Sequence, residues 1–268
     1  FQYMLCQLLR LSSIFLSLLK VDKAYIGIEN NKKDAIEHLT QLTEKHNSNI
    51  EIVALKIKYP QGGEKQLIKA ITKKEVPSGG LPIHVGVVVQ NVGTTFAVYE
   101  AIQKNKPLFE RIVTITGKSV KNPGDYLTRI GTPINNLIEI AGGLPEDTGK
   151  IIGGGPMMGK ALSSTKVTIT KGSSGVLIMP KEESYRSEIM PCIKCSKCVG
   201  VCPQGLEPYL LMTLSEHQKW EMAHEQHSLD CIECGSCSYI CPSNRPLLDY
   251  IRYEKQNVGA MLKARSKK

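Results

Sequence analysis

The sequence predicts an α/β chain that gives way to a helical, cysteine-rich domain. Three observations carry this reading. From Val21 onward, short apolar runs alternate with stretches of helical periodicity. Beyond Pro180 the composition changes and charged residues thicken. Eight of the nine cysteines then fall into two copies of one spacing. With 268 residues and 41% hydrophobic content, the chain can form one large domain or two modest ones.

The elements follow in order. Ala24–Ile28 reads as a strand, and Ala35, Ile36, Leu39 and Leu42 mark one face of a helix. Ile50–Leu55 reads as a second strand, completing a βαβ unit with parallel pairing. The loop from Lys58 to Lys65 holds Gly62 and Gly63, and Gln66–Ile71 is the helix after it. Paired glycines before a helix let the backbone approach a ligand, and a helix N-terminus favours a phosphate there. Pro77–Pro82 is a turn-rich connection, Val85–Val89 a strand, and Thr95–Lys104 a helix. The amides Gln90 and Asn91 between them suit either the edge of a planar ring or a helix cap.

A smaller unit follows. Ile112–Thr116 and Tyr126–Ile130 read as strands, with Gly117 as a turn, and Thr132-Pro133 opens a helix carrying Ile134, Leu137, Ile138 and Ala141. Ile151-Ile152 leads into Gly153-Gly-Gly-Pro-Met-Met-Gly159. That segment has neither the GxGxxG register nor a Walker ending, so it reads as a close-packed crossover rather than a phosphate loop. Val167–Thr170 and Gly175–Met179 are two further short strands, and a boundary is expected between Met179 and Pro191. These divisions give segments 1–20, 21–109, 110–180 and 181–268.

The cysteine repeats read Cys192-x2-Cys195-x2-Cys198-x3-Cys202-Pro203 and Cys231-x2-Cys234-x2-Cys237-x3-Cys241-Pro242. This is the run that holds a [4Fe-4S] cubane, and a pair of runs is the pattern of a two-cluster ferredoxin. In such pairs the fourth cysteine of each run ligates the other cluster. The expected sets are therefore Cys192, Cys195, Cys198 and Cys241 for one, and Cys231, Cys234, Cys237 and Cys202 for the other. Structural zinc more often takes two CxxC pairs across a longer loop. Between the runs, Leu206, Leu210, Leu211, Leu214 and Trp220 suit one or two packing helices, and Pro246–Lys263 a closing helix with Leu247, Leu248 and Ile251 inward. His217, His224 and His227 are scattered across faces and read as surface residues. Tyr59 and Tyr126 suit either a site beside a ring or a packed core position.

The formal charge is +9, with Lys255, Lys263, Arg265, Lys267 and Lys268 gathered near the end. Such a balance favours an acidic protein, an anionic membrane surface or a phosphorylated ligand. Nucleic acid is not expected, because the few aromatics form no stacking platform. Met4–Leu19 is apolar but short for a membrane span and lacks the flanks of a signal peptide. It reads as a packed helix or as the start of a truncated chain. Cys6 reads as a buried or free thiol. Thiolate ligands must stay reduced until loaded, which points to a reducing compartment.

The segments YPQGGEKQLI, PSGGLP, GVVVQNVGT, RIVTITG, RIGTP, GGGPMMG, CIKCSKCVGVCP and CIECGSCSYICPSNRPL, in that order from Tyr59 to Leu247, resemble the RnfC family. RnfC proteins are the electron-input subunits of the Rnf complex, a membrane-bound ion-translocating oxidoreductase between ferredoxin and NAD. The resemblance implies a partial complex-I-flavoprotein-like α/β domain, then an SLBB β-grasp unit at about Glu110–Lys171, then a helical two-[4Fe-4S] ferredoxin-like domain. It implies FMN and NAD(H) contacts at Gly63, Glu64, Asn91, Val92 and Thr94. Lys65, Gln90 and Gly93 depart from the complex I pattern. Family members carry a biotinyl-like domain and a glycine-rich flavin segment at the front. Neither precedes Val21, and Phe1–Lys20 matches no recognised part, which suggests a truncated chain with an incomplete flavin pocket.

For the complete protein, the resemblance implies electron transfer between NAD(H) with FMN and two clusters. The implied partners are other Rnf subunits, integral membrane ones and a ferredoxin-like one among them. The implied place is peripheral, at the cytoplasmic face of the bacterial inner membrane. Two alternatives share the features: a diaphorase-type iron-sulfur subunit of a soluble oxidoreductase, and a non-catalytic electron-relay module.

Overall fold

A computed structural model of the chain describes residues 14–45 and 49–266. Cys6, most of the apolar N-terminal stretch, and the tail lysines Lys267 and Lys268 lie outside the described residues. Contacts divide the chain into two compact units, Phe1–Leu108 and Phe109–Lys268.

In the first unit, β1 (Ala24–Glu29) and β2 (Ile50–Leu55) pair in parallel from Ala24↔Ile50 to Glu29↔Leu55. The crossover is α1 (Lys33–Lys45), whose Leu39 and Leu42 pack against Ile26, Ile28, Ile50 and Ile52. The predicted βαβ unit is therefore present, in the register that its alternating strand required. Helix α2 (Glu64–Thr72) begins two residues earlier than the apolar pattern suggested, and α3 (Val92–Lys104) three residues earlier.

The run Val85–Val89 is not a strand. Pro82–Val85 forms a 3-10 turn, Gly86 closes it with φ 74°, and residues 87–90 are irregular. The described sheet of this unit has two strands, β1 and β2. An apolar run without a neighbour to share its backbone hydrogen bonds gains nothing from extending as a strand.

The second unit opens with a five-stranded sheet in the order β4-β3-β7-β5-β6. These are β3 (Glu110–Thr116), β4 (Gly124–Arg129), β5 (Thr148–Gly153), β6 (Lys160–Ala161) and β7 (Gly175–Pro180). Only the β3–β7 pairing is parallel. Helix α4 (Ile134–Ile140) covers one face, and Ile134, Leu137 and Ile138 close a core with Val113, Ile115, Ile169, Val176 and Ile178. Each such side chain removed from water contributes about 1.5–3 kcal/mol. Val167–Thr170 makes a single bridge, Thr168 with Pro133, rather than a strand. Its backbone bonds go instead to the turn before α4, with Ile169 N–H on Thr132 O (2.8 Å) and Gly131 N–H on Ile169 O (2.8 Å). The Tyr126 hydroxyl donates to Asn122 O at 2.6 Å, so this ring is a packed residue with a satisfied tip.

The remainder is helical, as composition indicated. After α5 (Lys181–Ser184) come α6 (Lys197–Gly200), α7 (Pro208–Glu216), α8 (Trp220–Glu225), α9 (Ser236–Ile240) and α10 (Leu247–Arg265). Leu247, Ile251 and Val258 form the inner stripe of α10 and pack against α7 and α8. Glu254 lies in that same stripe, fully buried, and neither of its carboxylate oxygens has a hydrogen-bond partner. Burial pushes its carboxyl up to about 7, an effect that the nearby Ser228 hydroxyl only partly offsets. Its folded value lies above the unfolded one, so the penalty is absent below about pH 4.5 and complete above about pH 7. Stability is therefore expected to fall across that window by on the order of 3 kcal/mol. Thermal unfolding at pH 5 and pH 8 checks this: Glu254→Gln should flatten the difference and raise the melting temperature most at pH 8.

Candidate metal and cofactor sites

The two cysteine runs are two copies of one backbone shape. The second residue after the first cysteine is left-handed in both, Lys194 at φ 56° and Glu233 at φ 57°. Its N–H reaches back to the first thiol at 3.4 Å in each copy, to Cys192 Sγ and to Cys231 Sγ. Two residues on the turn repeats, at Ser196 (φ 57°) and Gly235 (φ 81°), and a short helix follows, α6 or α9. After the fourth cysteine, Gly205 (φ 67°) and Asn244 (φ 50°) close matching turns, bonding Cys202 O and Cys241 O at 3.2 Å. The long helices α7 and α10 then begin at equivalent places, Pro208 and Leu247.

Such turns aim peptide N–H groups and thiols toward one point, which is what a cluster's sulfides and irons require. Folding brings together thiols that lie far apart in the chain. Cys202, Cys231, Cys234 and Cys237 line one small cavity closed by Leu206, Leu211, Leu248 and Ile251. Cys202 therefore faces the thiols of the other run. Cys198 and Cys241 lie close enough to repel each other's charge, and Tyr209 lies near both Cys198 and Cys192. These are the groupings that crossed ligation needs; Cys195 joins its set by spacing alone.

The donor chemistry tests the fit. Burial raises the Cys198 and Cys231 thiols, and burial followed by repulsion from Cys231 pushes Cys237 up to about 12. Four thiolates in so apolar a site are untenable without positive charge among them, and iron supplies it. Among the described residues, no three His, Cys, Asp or Glu side chains close on a single ion. Cys202, Cys231, Cys234 and Cys237 ring a cavity instead, and a cubane asks for that, because each thiolate binds a different iron. His217, His224 and His227 are exposed, as expected of surface residues.

The nucleotide residues stand at two helix starts in the first unit. Gly63 is the N-cap of α2 and Glu64 its first residue, two of the five predicted residues. A Cβ on Gly63 would meet Gln66 Oε1 at 2.7 Å and Pro60 O at 3.2 Å, so a side chain here would crowd the turn and displace the Gln66 carboxamide. The buried Gln66 Oε1 has no hydrogen-bond partner, which is the kind of orphaned polar atom a bound ligand satisfies. Lys65, where the complex I pattern differs, sends its ammonium to Pro77 O at 3.4 Å. Asn91 is the N-cap of α3, accepting from Gly93 N–H at 2.8 Å, with Val92 and Thr94 exposed in the first turn. The carboxamide oxygen therefore serves as a helix cap here. Sequence reasoning passed over Gln66, and only its burial without a partner brings it forward.

Gly153–Gly159 is a tight crossover. Gly159 N–H bonds Gly155 O at 2.8 Å, and a Cβ on Gly159 would stand 2.5 Å from that oxygen. Its outer side packs on the second cysteine run: Arg252 Nη2 donates to Met158 O at 3.1 Å, and Met157 O lies 2.6 Å from where a Gly235 Cβ would be.

Comparison with known proteins agrees with this layout. Residues 2–100 match the Nuo51 FMN-binding domain, residues 112–161 the SLBB domain and residues 191–245 the 4Fe-4S dicluster domain. The first match begins at residue 2, so it takes in the N-terminal segment that the sequence reading left outside the resemblance. A crystal structure of NAD+-reducing [NiFe]-hydrogenase in the H2-reduced state shares the fold, with a TM-score of 0.60 at 16% identity. That likeness covers 96% of this chain and 52% of the other. The C component of the proton-translocating ferredoxin:NAD(+) oxidoreductase complex of Clostridium ljungdahlii is 46% identical over 243 residues, 90% of this chain and 53% of that protein. The Na(+)-translocating counterpart of Acetobacterium woodii is 46% identical over 238 residues, 89% of this chain and 54% of that protein. The C component of the ion-translocating oxidoreductase complex of Yersinia enterocolitica is 43% identical, over 92% of this chain and 35% of that protein. The chain thus spans about half the length of the first two relatives, or less of the third. Over the nine-tenths of its length that aligns, it belongs to the RnfC family of ion-translocating ferredoxin:NAD(+) oxidoreductase complexes.

Proposed function

We propose that this chain is the electron-transfer portion of one component of an ion-translocating ferredoxin:NAD oxidoreductase, a wire of two [4Fe-4S] clusters joined to a flavin and nicotinamide site. The observation that carries it is the meeting of Cys202 with Cys231, Cys234 and Cys237 around one cavity. Cys202 and the second run's first three cysteines hold one cluster, and Cys192, Cys195, Cys198 and Cys241 hold the other. When bound, each cluster takes up and releases single electrons. FMN, when bound, converts the two-electron exchange of NAD(H) into one-electron steps.

The chain's own residues do the positioning. Gly63 opens space for close backbone approach, the first amides of α2 favour a phosphate, and Gln66 Oε1 offers an acceptor. Glu64, Asn91, Val92 and Thr94 complete the set of nucleotide contacts. Around the second cluster, Leu206, Leu211 and Leu248 exclude water and lower the local dielectric, which tunes the potential. The relay reading is favoured by one observation, the use of the Asn91 carboxamide as a helix cap.

The partners proposed are the other Rnf subunits, including integral membrane ones and a ferredoxin-like one. Among the described residues no helix is long and apolar enough to cross a membrane. We place the chain at the cytoplasmic face of the membrane as a peripheral component, held by those partners.

Anaerobic reconstitution with iron, sulfide and FMN tests the reading, and the loaded chain should hold about eight irons and eight sulfides. Cys202→Ala should lower iron to about four per chain. Adding Cys231→Ala should then cost nothing more, whereas adding Cys192→Ala should remove the rest; the opposite order would mean each run binds its own cluster. Gly63→Val should abolish FMN retention without changing iron content, as read by flavin fluorescence after desalting. Bleaching of the cluster absorbance by NADH separates an active flavin site from a relay.

A further inference from the structure

The two cysteine runs share a backbone but not an environment. In the second run Cys234 and Cys237 are buried, and Ile232 is half-buried. The crossover at Met157-Met158 lies over Gly235. The one charged residue of that loop, Glu233, is held by Arg252 at 3.0 Å and Lys255 at 2.8 Å, and Lys255 also donates to Cys231 O at 2.7 Å. This side is closed.

In the first run the equivalent residues are open. Cys192 and Cys195 are exposed, and Ile193, the counterpart of Ile232, is 67% exposed. Lys194 stands where the second run has Glu233, and Lys197 where it has Ser236, and neither lysine makes an ion pair among the described residues. The apolar surroundings continue across the chain. Met190 N–H bonds Ser243 O at 3.0 Å and Asn244 Nδ2 bonds Glu188 O at 3.1 Å, which lays residues 188–190 beside the turn that follows Cys241. Ile189 (58%) and Met190 (50%) are exposed there, and Tyr239 (78%) is exposed on α9. Residues 186–201 carry Arg186, Lys194 and Lys197 against a single acid, Glu188. Arg186 is neutralised by Asp249, and the Glu207 carboxylate receives the Tyr209 hydroxyl.

We infer that this face, with Ile193 and Met190 at its centre and Lys194 and Lys197 on its rim, is the docking surface for an acidic electron-carrier protein. The inference rests on reading the first run as a cluster site. Thiols placed at the surface bring that site within reach of a partner, whereas the second run's Cys234 and Cys237 are buried. An apolar centre with a charged rim is the composition of small, transient electron-transfer interfaces. Lysines without an acidic neighbour select an acidic partner and steer its approach, and salt weakens that steering.

The test uses the full chain reconstituted with iron and sulfide, and an acidic two-[4Fe-4S] ferredoxin as probe. Carbodiimide cross-linking with peptide mapping should join Lys194 and Lys197 to carboxylates of the probe. Lys194→Glu with Lys197→Glu should weaken binding at low salt on the order of tenfold, compared between preparations of equal iron content. Lys166→Glu with Lys171→Glu, both exposed and outside the cysteine-rich segment, makes the same change in net charge and should leave binding nearly intact. Equal weakening by both pairs, or cross-links gathered on other lysines, overturns the inference. A loaded chain that docks here but is not reduced by NADH keeps this surface and removes the NADH-linked reading. A chain that NADH reduces but that does not dock here does the reverse.

Discussion

The structure of the second unit depends on one constraint: four thiols must meet in an apolar site that tolerates their charge only when cations sit among them. On the proposed ligation no single run supplies the whole set, because Cys202 lines the cavity of Cys231, Cys234 and Cys237. Each run therefore needs the other, and the chain between them must fold to bring them together. Helices α7 and α10 serve that need. They start at equivalent points after the two Cys-Pro turns, and their Leu211, Leu247 and Ile251 bury the floor between the sites. The core is small, so the thiols and the apolar side chains are one cluster rather than a site placed on a scaffold.

Duplication explains the backbone, and divergence explains the use. Left-handed turns at Lys194, Ser196, Glu233 and Gly235 impose one shape on both runs. What differs is what covers them. Glu233 draws Arg252 and Lys255 down onto the second run, and the sheet's glycine-rich crossover packs on Gly235, where a side chain would collide. Lys194 and Ser196 at the matching positions attract nothing of the kind among the described residues. A single change of sign at one loop position thus accompanies the difference between a covered and an uncovered site.

Much was legible in the chain itself, and the failures have a common cause. The βαβ start, the cores of α4 and α10 and the surface histidines were readable because each rests on local periodicity. Val85–Val89 and Val167–Thr170 were misread as strands because a strand is defined by its neighbour: the first run joins no ladder, and the second meets only the turn before α4, through a single bridge. The amide of Asn91 suited a ring edge or a helix cap equally well on type alone; its bond to Gly93 identifies the cap. Gln66 carried no signal, since a buried acceptor without a partner exists only once the surroundings are known. The N-terminal segment lacked recognisable motifs, although the family match reaches residue 2.

By itself, the sequence determined the ligand chemistry and the order of the domains. Thiolate spacing, Cys-Pro endings and apolar periodicity are properties of neighbouring residues, and covalent geometry carries them into any fold. The tertiary structure decided which thiols share a cavity, which of the two sites is covered, and that Glu254 is buried without a partner. Those outcomes depend on contacts between residues distant in the chain. They arise because burial, and with it the cost of charge, is set by everything that packs around a group rather than by the group's own neighbours in sequence.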